Sequence, residues 1–260
     1  MLAATLVLNG VLGPLFADLI DYPVAETVRN QLLGLELVSL LLVAPLSLAA
    51  GVLALRGHRG AAMLGFGPAA YTAYMFVQYV VGPAYRMYNV AVLFHVAVFA
   101  LGAATAVAAW ASVDGTRLPT LSRARERWYG ALLLALAAFV AARYLGAVTG
   151  AGSPVAAEFA ESPAFYWSIF LLDLGVVVPA TAVSGVALLR GRRAAHRALY
   201  AVLGWFALVP VSVAAMGLAM LTNDDPYAST GQTVALTGVS VLFAALAVWI
   251  YRPVLRGAGG

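Results

Sequence analysis

The sequence predicts an all-α integral membrane protein of about eight transmembrane helices, arranged as two four-helix repeats. Three observations support this fold class. The composition is strongly apolar, Arg-rich and acidic loops alternate along the chain, and one pattern of Pro, Gly and Arg occurs twice at a constant spacing.

The composition favours a bilayer over water as the surrounding medium. Hydrophobic residues make up 63% of the 260 residues, and the mean hydropathy is +0.92. Charged residues make up only 10%, whereas soluble domains carry about 25%. A water-soluble fold of this size cannot bury so much apolar surface.

Eight segments are apolar over the roughly 20 residues that a helix needs to cross a bilayer. We expect spans at 2–20, 32–55, 61–82, 89–112, 128–149, 166–189, 198–221 and 233–251. The connections between them are too short to hold a soluble domain.

The arginines indicate how these spans are oriented. Twelve of the 15 arginines fall in alternate loops and the C-terminal tail, namely Arg56, Arg59, Arg117, Arg123, Arg125, Arg127, Arg190, Arg192, Arg193, Arg197, Arg252 and Arg256. Acidic residues concentrate on the other side. Because short cytoplasmic loops are enriched in basic residues, this pattern predicts a multi-pass cell-membrane protein with both termini in the cytoplasm.

A repeated pattern indicates internal duplication. Pro45, Gly51, Arg56, Gly57 and Arg59 recur at Pro179, Gly185, Arg190, Gly191 and Arg193, each displaced by 134 residues. We therefore expect a first four-helix repeat at 1–115, a cytoplasmic Arg-rich connector at 116–127 and a second repeat at 128–260. An even number of helices per repeat predicts parallel repeats related by an axis along the membrane normal, with a cleft between them.

The duplicated Pro and Gly residues are candidate hinges. A proline inside a helix frees a backbone carbonyl and bends the helix. Pro45, Gly51, Pro179 and Gly185 are hinge candidates for this reason, although packing kinks are the simpler interpretation.

Polar side chains within the predicted spans form the candidate site. Ionisable groups are expensive in a membrane and therefore suggest function. We expect a ligand-binding or ion-coupling site in the outer half of the bilayer, formed by Glu36, Tyr74, Gln78, His95, Arg143 and Asp173. Arg143 is expected to pair with Asp173, since their helices are consecutive. The alternative is that these residues are structural.

Several classes of chemistry are excluded by composition. The absence of cysteine excludes disulfides, thiol redox chemistry and iron–sulfur clusters. The absence of lysine excludes a retinal Schiff base. The three histidines offer no plausible pair of haem or zinc ligands, so we expect no metal and no cofactor. The positive charges lie in short loops, which argues against nucleic-acid binding.

The sequence leaves the function open between three classes. The first is a transporter of a small molecule or ion, favoured because duplicated Pro/Gly positions suit alternating access. The second is a non-catalytic membrane subunit or receptor, and the third is an intramembrane enzyme acting on a lipid. The expected partners are the lipid bilayer and a small-molecule, ion or lipid ligand. An oligomer or a partner membrane protein remains open.

The eight-span layout and the segment Asp173-Leu-Gly-x3-Pro179 resemble those of bacterial multi-pass membrane proteins. This resemblance implies a bacterial source and no particular activity.

Overall fold

The computed structural model describes residues 1–86, 90–115, 118–150 and 155–256, and these residues form helices with no strand. The α-helices are α1 (Leu2–Leu12), α2 (Glu26–Val38), α3 (Ala44–Leu55), α4 (Ala61–Val81), α5 (Val90–Ser112), α6 (Arg123–Ala142), α7 (Leu145–Thr149), α8 (Pro163–Leu172), α9 (Val178–Leu189), α10 (Ala194–Phe206), α11 (Val209–Thr222) and α12 (Thr230–Arg256).

Several of these helices continue into one another. A π-helical turn at Ser39–Val43 joins α2 to α3, and a second π turn at Asp173–Val177 joins α8 to α9. Within the described residues, five helical stretches are long and apolar enough to cross a membrane: Glu26–Leu55, Val90–Ser112, Pro163–Leu189, Ala194–Thr222 and Thr230–Leu255. The prediction of an α-helical membrane protein is thereby confirmed.

The burial pattern supports the same conclusion. Leu41 and Leu242 are 66% and 70% exposed, whereas Asn9 and Gln31 are only 2% exposed. Water would penalise large apolar side chains on the outside and polar ones inside, but a bilayer favours this arrangement because lipid surrounds the apolar side chains.

Three of the eight predicted spans, at 2–20, 61–82 and 128–149, are not long and apolar enough to count as membrane-spanning helices. Helix α1 has 11 residues, which reach about 17 Å at 1.5 Å per residue, short of the roughly 30 Å hydrocarbon core. The predicted span 2–20 is therefore wrong in length, because the chain turns at Gly13 and Pro14. Helix α4 has sufficient length, but Gln78 and its tyrosines lower its hydropathy, and α6 begins with charged residues.

Other predicted boundaries also shift. The predicted span 128–149 is wrong as one helix, because the chain turns at Arg143 and Tyr144 between α6 and the short α7. Since α6 begins at Arg123, the connector predicted at 116–127 includes the first turn of a helix. Residues 116–117 of that connector, with Arg117, lie outside the described residues. The predicted span 198–221 is divided into α10 and α11 just before Pro210.

The loops meet at two opposite ends of the bundle. At one end, the Ala25 N–H donates to Ser162 Oγ (2.8 Å) and the Ala84 N–H donates to the Pro23 carbonyl (3.0 Å). We call this the acid-rich end. At the other, Arg-rich end, the Arg123 guanidinium donates to the Leu189 carbonyl that ends α9 (2.8 Å).

Matching backbone features recur at the 134-residue spacing. The two π turns begin at residues 39 and 173, and α3 and α9 end in equivalent turns. Gly57 and Gly191 have φ of 69° and 68°, a left-handed conformation that glycine adopts without strain. The His58 and Arg192 N–H groups then donate back to the carbonyls of Leu53 and Ala187, as in a Schellman motif.

Glycines allow the closest approaches between helices. A Cβ on Gly67 of α4 would lie 2.8 Å from the Gly204 carbonyl carbon of α10. A Cβ on Gly130 of α6 would lie 2.9 Å from the Gly185 carbonyl oxygen of α9. A Cβ on Gly185 would lie at the same distance from the Gly130 carbonyl oxygen. Small residues serve this purpose widely in membrane helix packing.

Candidate functional site: two buried carboxylates at the π turns

Each π turn lies beside a buried carboxylate. Asp173 is the first residue of the second π turn, and Glu36 precedes the first π turn by three residues. Glu36 is 0% exposed and Asp173 is 4% exposed. A π turn inserts one extra residue into a helix and is often found at functional sites, so this pairing marks both carboxylates as candidates.

Two tyrosine hydroxyls hold the Asp173 carboxylate. Tyr74 of α4 donates to Oδ1 at 2.7 Å, and Tyr144, at the break after α6, donates to Oδ2 at 2.6 Å. Each carboxylate oxygen thus accepts one short hydrogen bond. Because Tyr74 belongs to the first half of the chain (1–115), this cluster links the two halves.

The expected Arg143–Asp173 ion pair is absent from the structure, and that expectation is wrong. The Arg143 side chain is exposed, and its Cζ lies 5.8 Å from the centroid of the Tyr144 ring. The break at residues 143–144 turns Arg143 outward and Tyr144 inward. The neighbouring phenol therefore occupies the place that sequence proximity suggested for the guanidinium.

Glu36 lies in a second cluster formed by the first half of the chain. Its Oε1 accepts hydrogen bonds from the Tyr22 hydroxyl (2.9 Å) and the Asn9 Nδ2 (3.2 Å). The other Asn9 atom, Oδ1, lies 3.2 Å from His95 Nε2. Asn9 therefore connects Glu36 of α2 to His95 of α5.

The hydrogen-bond pattern identifies the histidine tautomer. Since Asn9 Nδ2 donates to Glu36, Asn9 Oδ1 is an acceptor, and His95 Nε2 must carry a hydrogen. The neutral ring then leaves a lone pair on Nδ1. Both His95 Nδ1 and Glu36 Oε2 are buried and make no hydrogen bond.

The six residues proposed from sequence do not form a single cleft. Tyr74 and Asp173 are in direct contact, and Glu36 and His95 are joined through Asn9. Gln78 is buried, but its Nε2 contacts only its own helix, at the Tyr74 carbonyl (3.4 Å) and Met75 Sδ (3.9 Å). No hydrogen bond found among the described residues joins the two carboxylate clusters.

Sequence reasoning missed three residues of these clusters: Asn9, Tyr22 and Tyr144. Asn9 interrupts an otherwise apolar run, and this signal was sufficient to mark it. Tyr22 and Tyr144 look like the aromatic residues that are common at a membrane interface, and only the fold turns their hydroxyls inward.

The hinge candidates differ in their surroundings. Pro45 and Pro179 each lie in the first turn of the helix that follows a π turn. A Cβ added at Gly51 would meet nothing within 4 Å, whereas Gly185 packs against the α6 backbone. Gly51 and Gly185, although they match in sequence, are therefore packed differently.

A polar cavity of about 440 Å³ opens among the loops at the acid-rich end. Its acidic lining residues are Glu26, Glu158, Glu161, Asp224 and Asp225. Asp225 is buried and accepts hydrogen bonds from Asn30 Nδ2 (2.9 Å) and the Tyr227 N–H (2.9 Å). Burial raises the pKa of Glu158, Arg143 opposes this shift, and Asp225 adds to it.

Metal-binding groups were also considered. Among the described residues, no group of three or more His, Asp or Glu side chains is arranged to hold a metal ion. Comparison with known proteins adds no further assignment: no family model, no curated protein and no solved structure matches this chain.

Proposed function

We propose that this protein is a multi-pass transporter of a small molecule or ion, with Glu36 and Asp173 at its coupling site. The observation that carries the proposal is the placement of two buried carboxylates beside two π turns that begin 134 residues apart, at residues 39 and 173. Among the described residues, no Arg or His nitrogen lies within 4 Å of either carboxylate. Intramembrane carboxylates without a cationic partner are typical of ion and proton pathways.

The proposal includes eight spanning segments in two parallel repeats, of which the first consists of the short helix α1 and the irregular residues that follow it. Its hinges are at Pro45, Gly51, Pro179 and Gly185. The equal spacing of the π turns and of the Schellman turns supports the repeat. We place the protein in the cell membrane with both termini in the cytoplasm, because the Arg-rich loops lie together at one end.

The acidic cavity indicates the class of solute. Side chains of one sign around a cleft raise the local concentration of the opposite charge. We therefore propose that the acid-rich end admits cationic or neutral solutes in preference to anions. The roles of Tyr74, Gln78 and His95 are to line or support the path between this cavity and the carboxylates. Arg143 lies near the acidic cavity, where the charge of the guanidinium acts on Glu158.

Native mass spectrometry of the purified protein tests the proposal. We expect a small polar solute bound to the wild type and lost from a Glu36→Gln/Asp173→Asn double variant, which keeps the shape of both side chains. A Ser240→Ala variant, which removes a buried hydroxyl that bonds to the Leu236 carbonyl of its own helix α12, serves as the control and should retain the solute.

The same measurement separates the alternative functions. A bound phospholipid or lipid-linked molecule would favour an enzyme acting on a lipid. If neither protein carries a ligand, the carboxylates bind no solute, and the chain is better described as a membrane subunit or receptor.

Topology can be tested separately because the chain has no native cysteine. Ser122 and Ser229 are both exposed, at opposite ends of the bundle. Single cysteines at these positions should react with an impermeant maleimide from opposite sides of the membrane. Reaction of both from the same side would overturn the eight-span arrangement.

A further inference from the structure

We propose that Glu36 is the residue that takes up and releases a proton, and that Asp173 is a fixed contact between the halves. This inference deepens the transport proposal and rests on it, because it names the coupling ion and the one carboxylate that binds it. The basis is a difference in how the two carboxylates are satisfied.

The Asp173 cluster is balanced. Two carboxylate oxygens accept two hydroxyl hydrogens, from Tyr74 and Tyr144, at 2.7 and 2.6 Å. An additional proton on this carboxylate would displace one of the two hydroxyls and leave a buried donor without an acceptor. Both carboxylate oxygens are therefore satisfied without an added proton, by hydrogen bonds of the short length that charged acceptors favour.

The Glu36 cluster has more acceptors than donors. The side-chain hydrogens of Tyr22, Asn9 and His95 Nε2 already point at acceptors. The Leu15 N–H faces the carboxylate but makes no hydrogen bond to Oε2. Glu36 Oε2 and His95 Nδ1 remain buried without a donor. A buried carboxylate oxygen that accepts no hydrogen bond leaves part of the negative charge without a partner, so one added proton relieves this cost, and the open position is Oε2.

The surroundings of Glu36 admit a proton more readily than a metal ion. Metal cations such as Ca²⁺ take six to eight oxygen ligands, and among the described residues no group of three or more His, Asp or Glu side chains is arranged to hold one. The backbone also closes over Oε2, since a Cβ on Gly13 would lie 2.7 Å from it. A proton can bind to Oε2 without the space that a metal ion and its ligands would need.

The titratable and charged groups that face Glu36 come from the loop after α1 and from α2, α4 and α5. They are Asp18, Tyr22, Arg29, Tyr79 and His95. Arg29 is engaged by Asp18 at 2.7 Å, and both side chains are about half exposed, so the pair adds little net charge at the cluster.

The segment Gly13–Tyr22 separates Glu36 from the acid-rich end. Its Leu15 N–H faces the carboxylate, and its Tyr22 hydroxyl bonds to it. The segment folds back on α1 through the Leu12 carbonyl, which accepts from the Leu19 and Ile20 N–H groups. Protons thus reach Oε2 from the acid-rich end when this irregular segment, rather than a whole helix, moves aside.

Infrared difference spectroscopy of the full chain in lipid during a pH titration tests the proposal. We expect the carbonyl band of a protonated carboxylic acid to grow as the pH falls. The band should shift in wild-type protein labelled with ¹³C-glutamate but not with ¹³C-aspartate. It should be lost in Glu36→Gln and retained in Asp173→Asn and in Glu158→Gln, which removes a half-buried glutamate of the acidic cavity.

The isotope labels keep the test valid even if a variant fails to fold, because they are read in the wild type. A band that shifts with ¹³C-aspartate, persists in Glu36→Gln or does not appear at all would overturn the assignment. A titrating Glu36 in a protein with no bound solute would uphold the proton site and reject transport. A bound solute without a titrating Glu36 would reject the proton site alone.

Discussion

The Tyr74 hydroxyl donates a 2.7 Å hydrogen bond to Asp173 across the two halves of the chain. Tyr144, at the break after α6, donates the second hydrogen bond to Asp173. The Tyr74–Asp173 contact joins the halves, together with the Tyr71–Ser212 and Asn30–Asp225 hydrogen bonds.

Removing either hydroxyl should weaken this contact. Tyr74→Phe and Tyr144→Phe each keep the ring but leave one Asp173 oxygen without a donor. We expect each to lower the free energy of unfolding by about 1–3 kcal/mol, measured as thermal stability in detergent. Tyr166→Phe is the control, because its ring packs 6.2 Å from Tyr144 while its hydroxyl is not one of the two donors to Asp173. Equal stability of all three variants would show that the hydroxyls do not hold Asp173.

The paired glycines at the repeat spacing should respond differently to alanine. Gly185→Ala places a methyl group 2.9 Å from the Gly130 carbonyl oxygen, so overpacking should destabilise the protein by about 1–3 kcal/mol. Gly51→Ala meets open space and should be neutral or stabilising by up to about 1 kcal/mol, because alanine favours the helix. Thermal unfolding of the two variants checks this, and the reverse order of stability would contradict the packing described between α6 and α9.

The Arg-rich end contains a titratable contact outside the apolar segments. Glu126 accepts hydrogen bonds from Arg123 (2.9 Å) and His196 (2.8 Å), and these contacts lower the pKa of Glu126 in the folded protein. A lowered folded pKa stabilises the protein above the unfolded value of 4.5, and this stability is lost as the pH falls through the folded pKa.

Glu126→Gln should therefore reduce stability at neutral pH and flatten its decline in acid. Thermal unfolding over a pH series measures both effects. Glu161→Gln, at an exposed position, is the matched control and should follow the wild type. An acid decline that is as steep in Glu126→Gln as in the wild type would exclude Glu126 as its source.

Local sequence signals predicted the helices and the buried carboxylates, but not the contacts between them. A long apolar run predicts a helix, and a carboxylate within such a run is easily recognised. Glu36 and Asp173 could therefore be predicted from the sequence. Which groups meet Asp173 depends on the turn at Arg143 and Tyr144, and hydropathy carries no information about that turn. The end of α1 at Gly13 was similarly hidden, because the residues that follow it include apolar ones.

Asn9 shows how much of the site could have been found. A single amide in an apolar helix is a polar group that must find a partner, and here it joins Glu36 to His95. Its partners lie on α2 and α5, which are distant in sequence. The residue was therefore predictable as a site member, whereas the connection it makes was not.

The central claim, that Glu36 is the proton-binding group of a transporter, is tested most directly by electrical recording. Proteoliposomes adsorbed on a solid-supported membrane are exposed to an acid pulse from the acid-rich side, and the displaced charge is measured. We predict a transient current in the wild type and in the Ser240→Ala control, and none in Glu36→Gln. Equal currents in the wild type, Glu36→Gln and protein-free liposomes would contradict the account.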